Sequence, residues 1–386
     1  MTGNIYSAFA AVLTAIGLLQ AIAGGVLAMR FVASRRHPAS PVSSPITILK
    51  PLHGDEPLLQ RALASVCAQD YPRFQVVFGV QDPGDPALRV VESIRSRFPE
   101  IDIALVVNPA QHGTNRKVSN LINMLPAAKH NVLVIADSDL HVQTDYLRRL
   151  AEALNQSGTG LATTLYAGLP ASKAIPAQLG SMQITHSFLP GALLARAIGR
   201  QDCLGATMAI RRETLAEIGG LETLVNHLAD DNVLGRRVQA LGLSVGLAST
   251  VPATTVPETT FAALARHELR WARTIRALVP GSFAASALQY PLSWALTAVL
   301  LSGGAVWPAA LFLLAWGVRA TAAIWIDRAL GPMLQEVAFH CPVWLLPLRD
   351  LLSVAIMVTS YAGRRVDWRG HTLHADSPIP FRPPKG

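Results

Sequence analysis

Apolar and polar positions change rhythm along the chain. Residues 5–29 carry no charge, and a helix of that length spans a bilayer core. Arg30, Arg35 and Arg36 follow it, the pattern of a retained anchor whose C-terminal flank lies in the cytoplasm. The rival reading is a signal peptide cut near Ala21-Ile22-Ala23, but its start holds no Lys or Arg. From residue 46 short apolar runs alternate with helical stretches. Strands are expected at 46–49, 74–80, 101–107 and 132–136, and helices at 56–69, 86–98 and 115–128. This rhythm implies an α/β fold with a mostly parallel sheet, in which ligands bind beyond the carboxyl ends of strands.

Beyond that region the charge thins out. Residues 174–198 read either as a core helix or as a segment lying on the membrane surface. Residues 277–318 carry no charge, and Gly303-Gly304 with Pro308 divides them into spans expected at 283–301 and 305–326. Arg319 inside the second needs a partner or a polar exit. A third apolar stretch, 343–363, holds Arg349 and Asp350. Three complete spans would put Arg364, Arg365 and Arg369 on the face opposite the middle domain, against the positive-inside rule, so one segment is expected to be re-entrant or interfacial. The expected organisation is an anchor at 1–31, a linker at 32–45, a catalytic domain at 46–258, an interfacial helix at 259–280, membrane helices at 281–363 and a basic, Pro-rich, irregular tail at 364–386.

Composition narrows the class. Hydrophobic residues make up 51% and charged residues 15%, which excludes disorder and a purely soluble chain. The net charge is +8, and most of the excess sits in the first 44 and last 23 residues, beside the apolar segments. That placement suits either anionic lipid or ordinary flanking charge, and it argues against nucleic acid. Cys67, Cys203 and Cys341 form no CxxC pair, so neither a disulfide framework nor a structural zinc site is expected.

Four stations could carry chemistry. Asp137-Ser138-Asp139 leaves an apolar strand, where two carboxylates one residue apart can face one cation such as Mg²⁺ or Mn²⁺ and share it with substrate phosphates. Gln81-Asp82-Pro83-Gly84-Asp85-Pro86 follows another strand and is either a turn or a base-recognising carboxylate. Asp230-Asp231 opens a helix, where Asp230 is either an N-cap or part of a general-base pair. Arg266, Arg270 and Arg273 form a cationic stripe at helical spacing around Trp271, either snorkelling beside the membrane or aimed at a leaving diphosphate.

In this order the stations resemble lipid-acceptor and processive glycosyltransferases with a GT-A fold, and most of all the ceramide glucosyltransferase family, family 21. The likeness runs through Ile48-Leu49-Lys50-Pro51-Leu52, Val80-Gln81-Asp82-Pro83, Asn115-Arg116-Lys117-Val118-Ser119-Asn120-Leu121 and Asp137-Ser138-Asp139. It continues through Cys203-Leu204-Gly205-Ala206-Thr207-Met208, Asp230-Asp231, Arg270-Trp271 and Asp367-Trp368-Arg369-Gly370. Segments 227–231 and 267–276 look most like the bacterial hopanoid-biosynthesis branch, which puts N-acetylglucosamine on bacteriohopanetetrol. His267 stands where the family's QxxRW motif opens with Gln or Arg, and Asp230 where its Glu-Asp pair has Glu.

The resemblance implies a membrane-bound, inverting transfer from a UDP-sugar to a lipid hydroxyl, with the catalytic domain facing the cytoplasm of a bacterial inner membrane. Pro51, Asp82, Asp85, Lys117, Asn120, Asp137 and Arg270 would bind the nucleotide-sugar. Asp139 and Asp137 would hold the divalent metal. Asp231 would be the base beside Asp230, with Arg270 and Trp271 completing the catalytic set. His227, Gly205 and His267 would meet the acceptor. The rivals are a ceramide glucosyltransferase, a processive polysaccharide synthase and a non-catalytic membrane scaffold. The sequence is silent on oligomeric state.

Overall fold

The computed structural model describes residues 2–34, 44–363, 365–368 and 371–374. Helix α1 (Thr2–Ser34) contains the expected anchor. The chain then builds a unit formed by residues 44–167 and 199–257. Its strands are β1 (Ile46–Pro51), β2 (Phe74–Val80), β3 (Asp102–Val107), β4 (Val132–Ala136), β5 (Leu140–His141) and β6 (Thr159–Thr163). The chain passes out of this unit in β7 (Ala167–Pro170) and later returns to add β8 (Thr207–Arg211), β9 (Ser244–Leu247) and β10 (Ala253–Val256). The helices of the unit are α2 (Leu59–Cys67), α3 (Ala87–Arg97), α4 (Arg116–Met124) and α5 (Tyr146–Leu154), with α8 (Arg212–Glu217) and α9 (Asp230–Ala240) after the return; α6 (Ile175–Gln183) and α7 (Leu189–Ala197) lie in the other unit.

Seven strands form one sheet in the order β3-β2-β1-β4-β8-β6-β9. Strands β1 to β4 run parallel, while β8 is antiparallel to both β4 and β6. This mostly parallel mixed sheet fits the expected GT-A fold. Alternate residues on each strand point to opposite faces. Ile48, Phe78 and Val134 pack with Leu63, Val91 and Leu150 on one face, and Leu49, Val77 and Leu133 pack with Leu121 and Leu234 on the other. The parallel register puts Pro51 beside Gly79 and Leu49 beside Ile135, so Lys50, Gln81 and Asp137 emerge at one edge.

Local chemistry trims the expected helices. The first starts at Leu59 rather than Glu56, because Pro57 is followed by Leu58 at φ 61°, a left-handed conformation that an α-helix excludes. The third ends at Met124, and Pro126 turns its last stretch into a 3₁₀ turn. Asp230 is not an N-cap: α9 begins at that residue, and Ala229 occupies the cap position.

The second unit holds residues 2–33, 168–198 and 258 onward. Segment 168–198, within the range expected for the catalytic domain, clusters here. It forms α6 (Ile175–Gln183), a π-helical turn at Ile184–Phe188 and α7 (Leu189–Ala197), with Leu179, Met182, Ile184 and Leu189 buried. Helix α10 (Phe261–Leu278) follows, and then α11 (Pro280–Ala285), α12 (Pro291–Leu301), α13 (Trp307–Leu334) and α14 (Leu346–Ser360).

Among the described residues three helices are long and apolar enough to cross a membrane: Ile5–Ser34, Trp307–Val337 and Val343–Ser360. The span expected at 283–301 is instead a pair, Pro280–Gln289 and Pro291–Leu301, bent by 67°. Pro291 forces Tyr290 out of the helical region, so one helix cannot run through. A bend of this kind suits a broken span or a re-entrant segment. Helix α13 continues beyond the expected 326, because Asp327 is not left bare: its carboxylate meets His186 Nε2 at 2.7 Å. Arg319 finds its partners in the His186 carbonyl at 2.9 Å and in Asp350 at 3.7 Å. In the tail, Arg365–Trp368 and His371–His374 pair as an antiparallel ribbon, where irregular chain was expected. Met1, residues 35–43 of the linker expected at 32–45, Arg364, Arg369-Gly370 and the last twelve residues lie outside the described residues.

Candidate active site

The site of the sheet unit grows from strand ends. Lys50, next to last in β1, is fully buried and donates from Nζ to the Asp137 backbone carbonyl at 2.6 Å. Pro51 ends the same strand. After β2, Asp82 is exposed and accepts from the Gly84 N–H at 2.8 Å, an Asx turn. Asp85 is buried and accepts from Gly54 at 3.0 Å and from Ala87 at 2.9 Å, so it ties the loop after β1 to the start of α3. After β4, Asp139 Oδ2 accepts from the Thr254 hydroxyl at 2.6 Å, and β10 pairs with β5 immediately alongside.

Two helix starts close round Asp137. Asn115 caps α4 by accepting from Val118 N–H, and its amide donates to the His227 carbonyl at 2.8 Å. The first turn of α4 therefore sits against the loop that leads into α9. Lys117 Nζ lies 2.6 Å from Asp137 Oδ1, 3.4 Å from the Gly205 carbonyl and 4.0 Å from Asp230 Oδ2. A Cβ added to Gly205 would come within 2.7 Å of Asp231 Oδ2, so any side chain there would displace that carboxylate. Asn120 is buried on the sheet side of α4 and donates to the Gly79 carbonyl at 2.8 Å.

Asp137, Asp139, Asp230 and Asp231 face two lysines. Burial would lower Lys117, but Asp137, Asp230 and Asp231 outweigh it and hold the ammonium charged. Burial pulls Lys50 down to about 8, against the pull of Asp139 and Asp137. Burial and then Asp230 push Asp231 up to about 7, opposed by the Asn232 N–H at 2.7 Å. Burial and Asp137 push Asp139 up to about 6. Asp137 and Asp139 stand on either side of Ser138, just past the end of β4. The donors are all oxygen, which suits Mg²⁺ or Mn²⁺. Among the described residues no group of three or more His, Cys, Asp or Glu could hold a metal alone, so a cation at Asp137 and Asp139 needs oxygens from a ligand as well. The residues fit such a shared cation.

The remaining expected residues belong to the helical unit. Helix α10 is capped by Thr260, and its buried face is Leu264, Glu268 and Ala272. His267 pairs with Glu258 and stands edge-on to Trp271, with ring centroids 4.4 Å apart. Arg270 lies between them in sequence, on the same helix. At the end of that helix Arg276 donates to the Gly363 carbonyl at 2.6 Å and covers the Tyr361 ring.

Sequence reasoning assigned no role to Lys50, Asn115, Thr254 or Glu268. Lys50 and Asn115 lie inside the family-like segments 48–52 and 115–121, and a lysine next to last in a buried strand was a usable signal. Thr254 gave none, since a threonine in a short strand is ordinary.

The chain is similar to a ceramide glucosyltransferase of Komagataella phaffii, at 33% identity over 33% of this chain and 26% of that protein. It is also similar to ceramide glucosyltransferase 3 of Caenorhabditis elegans, at 19% identity over 88% of this chain and 74% of that protein. It thus spans only about a quarter of the yeast relative's length. Among solved structures, the mannosyltransferase PcManGT from Pyrobaculum calidifontis, in complex with GDP-Man and Mn²⁺, matches at a TM-score of 0.49 and 18% identity, covering 90% of this chain and 99% of that one. The model of glycosyl transferase family 21 matches residues 9–378, nearly the whole chain. The chain belongs to glycosyl transferase family 21.

Proposed function

We propose that the protein moves a sugar from a UDP-sugar to the hydroxyl of a membrane lipid, with inversion at the anomeric carbon. The observation that carries this is the Lys117 bridge, which draws Asp137 at the end of β4 and Asp230 at the start of α9 around one ammonium group. It joins a diphosphate-type carboxylate station to the Asp230-Asp231 pair. Asp82, exposed after β2, binds the uracil; Pro51, Asp85, Lys117, Asn120 and Asp137 shape or line the nucleotide pocket. Asp231 takes the proton of the lipid hydroxyl as the bond forms. Its carboxyl sits at about 7, suited to a base that must be ionised near neutral pH. Lys117 pairs with Asp137 and offsets part of the burial that raises the Asp230 carboxyl. Arg270 supplies a further cation to the departing UDP, and Trp271 shelters the reacting groups. A divalent cation held by Asp137 and Asp139 would neutralise charge on the leaving diphosphate. His227, Gly205 and His267 meet the acceptor.

The preferred pair is UDP-N-acetylglucosamine and a hopanoid such as bacteriohopanetetrol, supported by segments 227–231 and 267–276. The second reading, UDP-glucose and ceramide, is favoured by the names of the curated relatives. The apolar helices support a membrane protein. The family resemblance adds a multi-pass protein of a bacterial inner membrane with its catalytic part in the cytoplasm: 1–31 as anchor, 46–258 without the 168–198 segment as catalytic domain, 259–280 as interfacial helix and 281–363 as membrane region. The test presents purified protein with each donor, each lipid and glycerol, reading UDP release and product mass. Hexosaminyl-hopanoid without glycosylated glycerol is the expected result. Glucosylceramide as the better product selects the second reading, and equal rates on glycerol remove the lipid site.

A further inference from the structure

Among the described residues Arg349 is the largest fully buried side chain, and it lies within the apolar stretch of α14. Its guanidinium grips Glu268 through both arms, Nη1 to Oε1 at 2.6 Å and Nη2 to Oε2 at 2.7 Å. Nη1 also donates to the Leu179 carbonyl of α6 at 3.0 Å, and Nε to the Ser353 hydroxyl at 3.1 Å. One side chain therefore ties α6, α10 and α14 together. Stability alone does not call for an ion pair here, since apolar side chains of similar volume hold helices as well or better. A two-armed ion pair adds direction: it is satisfied at only one rotation and one axial height of the helix that carries the carboxylate. Glu268 is two residues before Arg270 and three before Trp271. A helix turns 100° per residue, so any rotation at Glu268 swings both side chains through the same arc.

We propose that Glu268 and Arg349 are positioning residues that fix the rotation and register of α10, and so set where it presents Arg270 and Trp271. The proposal rests on the glycosyl-transfer reading above. Misplacement of about 1 Å can cost on the order of a hundredfold in rate.

The test uses the full chain in detergent with the donor and lipid that give turnover, and reads kcat, donor KM and thermal midpoint per folded protein. Glu268→Gln and Arg349→Lys should lower kcat at least tenfold with donor KM within threefold. The double variant Glu268→Met with Arg349→Met should keep the wild-type midpoint and still show the lowered kcat. If it recovers half or more of the wild-type kcat, the pair only holds helices together and the proposal falls. Should the double variant fail to fold, Glu268→Asp decides: it keeps the charge and shortens the reach by one methylene. A fall in kcat at an unchanged midpoint supports positioning, and an unchanged kcat overturns it. Arg270→Ala is measured alongside. An active Arg270→Ala sinks the role given to Arg270, whereas an inactive one beside a fully active Glu268/Arg349 double variant sinks the positioning role alone.

Discussion

Lys117 Nζ lies 2.6 Å from Asp137 Oδ1, joining the first turn of one helix to the end of a central strand. Nothing local in either segment requires the pair. It forms because the Asn115 cap seats α4 against the loop before α9, which places Lys117 among Asp137, Asp230 and Asp231.

Removing that cation should cost both activity and stability. Lys117→Met leaves two carboxylates without their ammonium partner. Breaking a buried pair costs about 3–5 kcal/mol, and the Asp137 side chain is 38% exposed, so a loss of about 1–3 kcal/mol is expected. Turnover should fall at least a hundredfold. Thermal unfolding with parallel UDP-release assays checks both. A variant with wild-type midpoint and rate would show the bridge to be idle.

Asp231→Asn should abolish transfer while UDP still binds, measured by titration of UDP against the purified variant. In the unaltered protein the rate should fall as pH drops below about 7, where Asp231 takes up a proton. The stability sign runs the other way. Folding raises this carboxyl from 3.8 to about 7, so protonation is favoured in the fold, and the stabilisation is lost as pH rises through 7. The melting advantage of Asp231→Asn over the donor-free parent should grow between pH 4 and 7 and then level off. Near-normal turnover in the variant would remove Asp231 as the base.

Thr254→Val deletes the hydroxyl that donates to Asp139 Oδ2 at 2.6 Å. A hydrogen bond to a charged group is worth about 1.5–3 kcal/mol, so the Mg²⁺ or Mn²⁺ concentration for half-maximal turnover should rise about tenfold or more. Thr254→Ser should restore it. Equal cation dependence in all three proteins would mean that Asp139 does not hold the ion.

Much of the frame was legible in the one-dimensional pattern. The strands at Phe74–Val80 and Val132–Ala136 match their expected limits, because continuous β-branched and apolar runs are dictated by burial on both faces of a parallel sheet. The Asp137-Ser138-Asp139 station could be placed at a strand end from the same signal. Local rules that compete with periodicity were harder to weigh, and so Leu58, Pro126 and Pro291 moved element ends or bent a span. Tertiary structure alone decided which polar groups meet. Lys50 reaches the Asp137 carbonyl, Thr254 reaches Asp139, and Arg319 and Arg349 find Asp350 and Glu268. Hydrophobic period is a property of neighbours along the chain, whereas an ion pair depends on which segments burial has already brought together. A sequence therefore names the ionised side chains well before it can say which of them are partners.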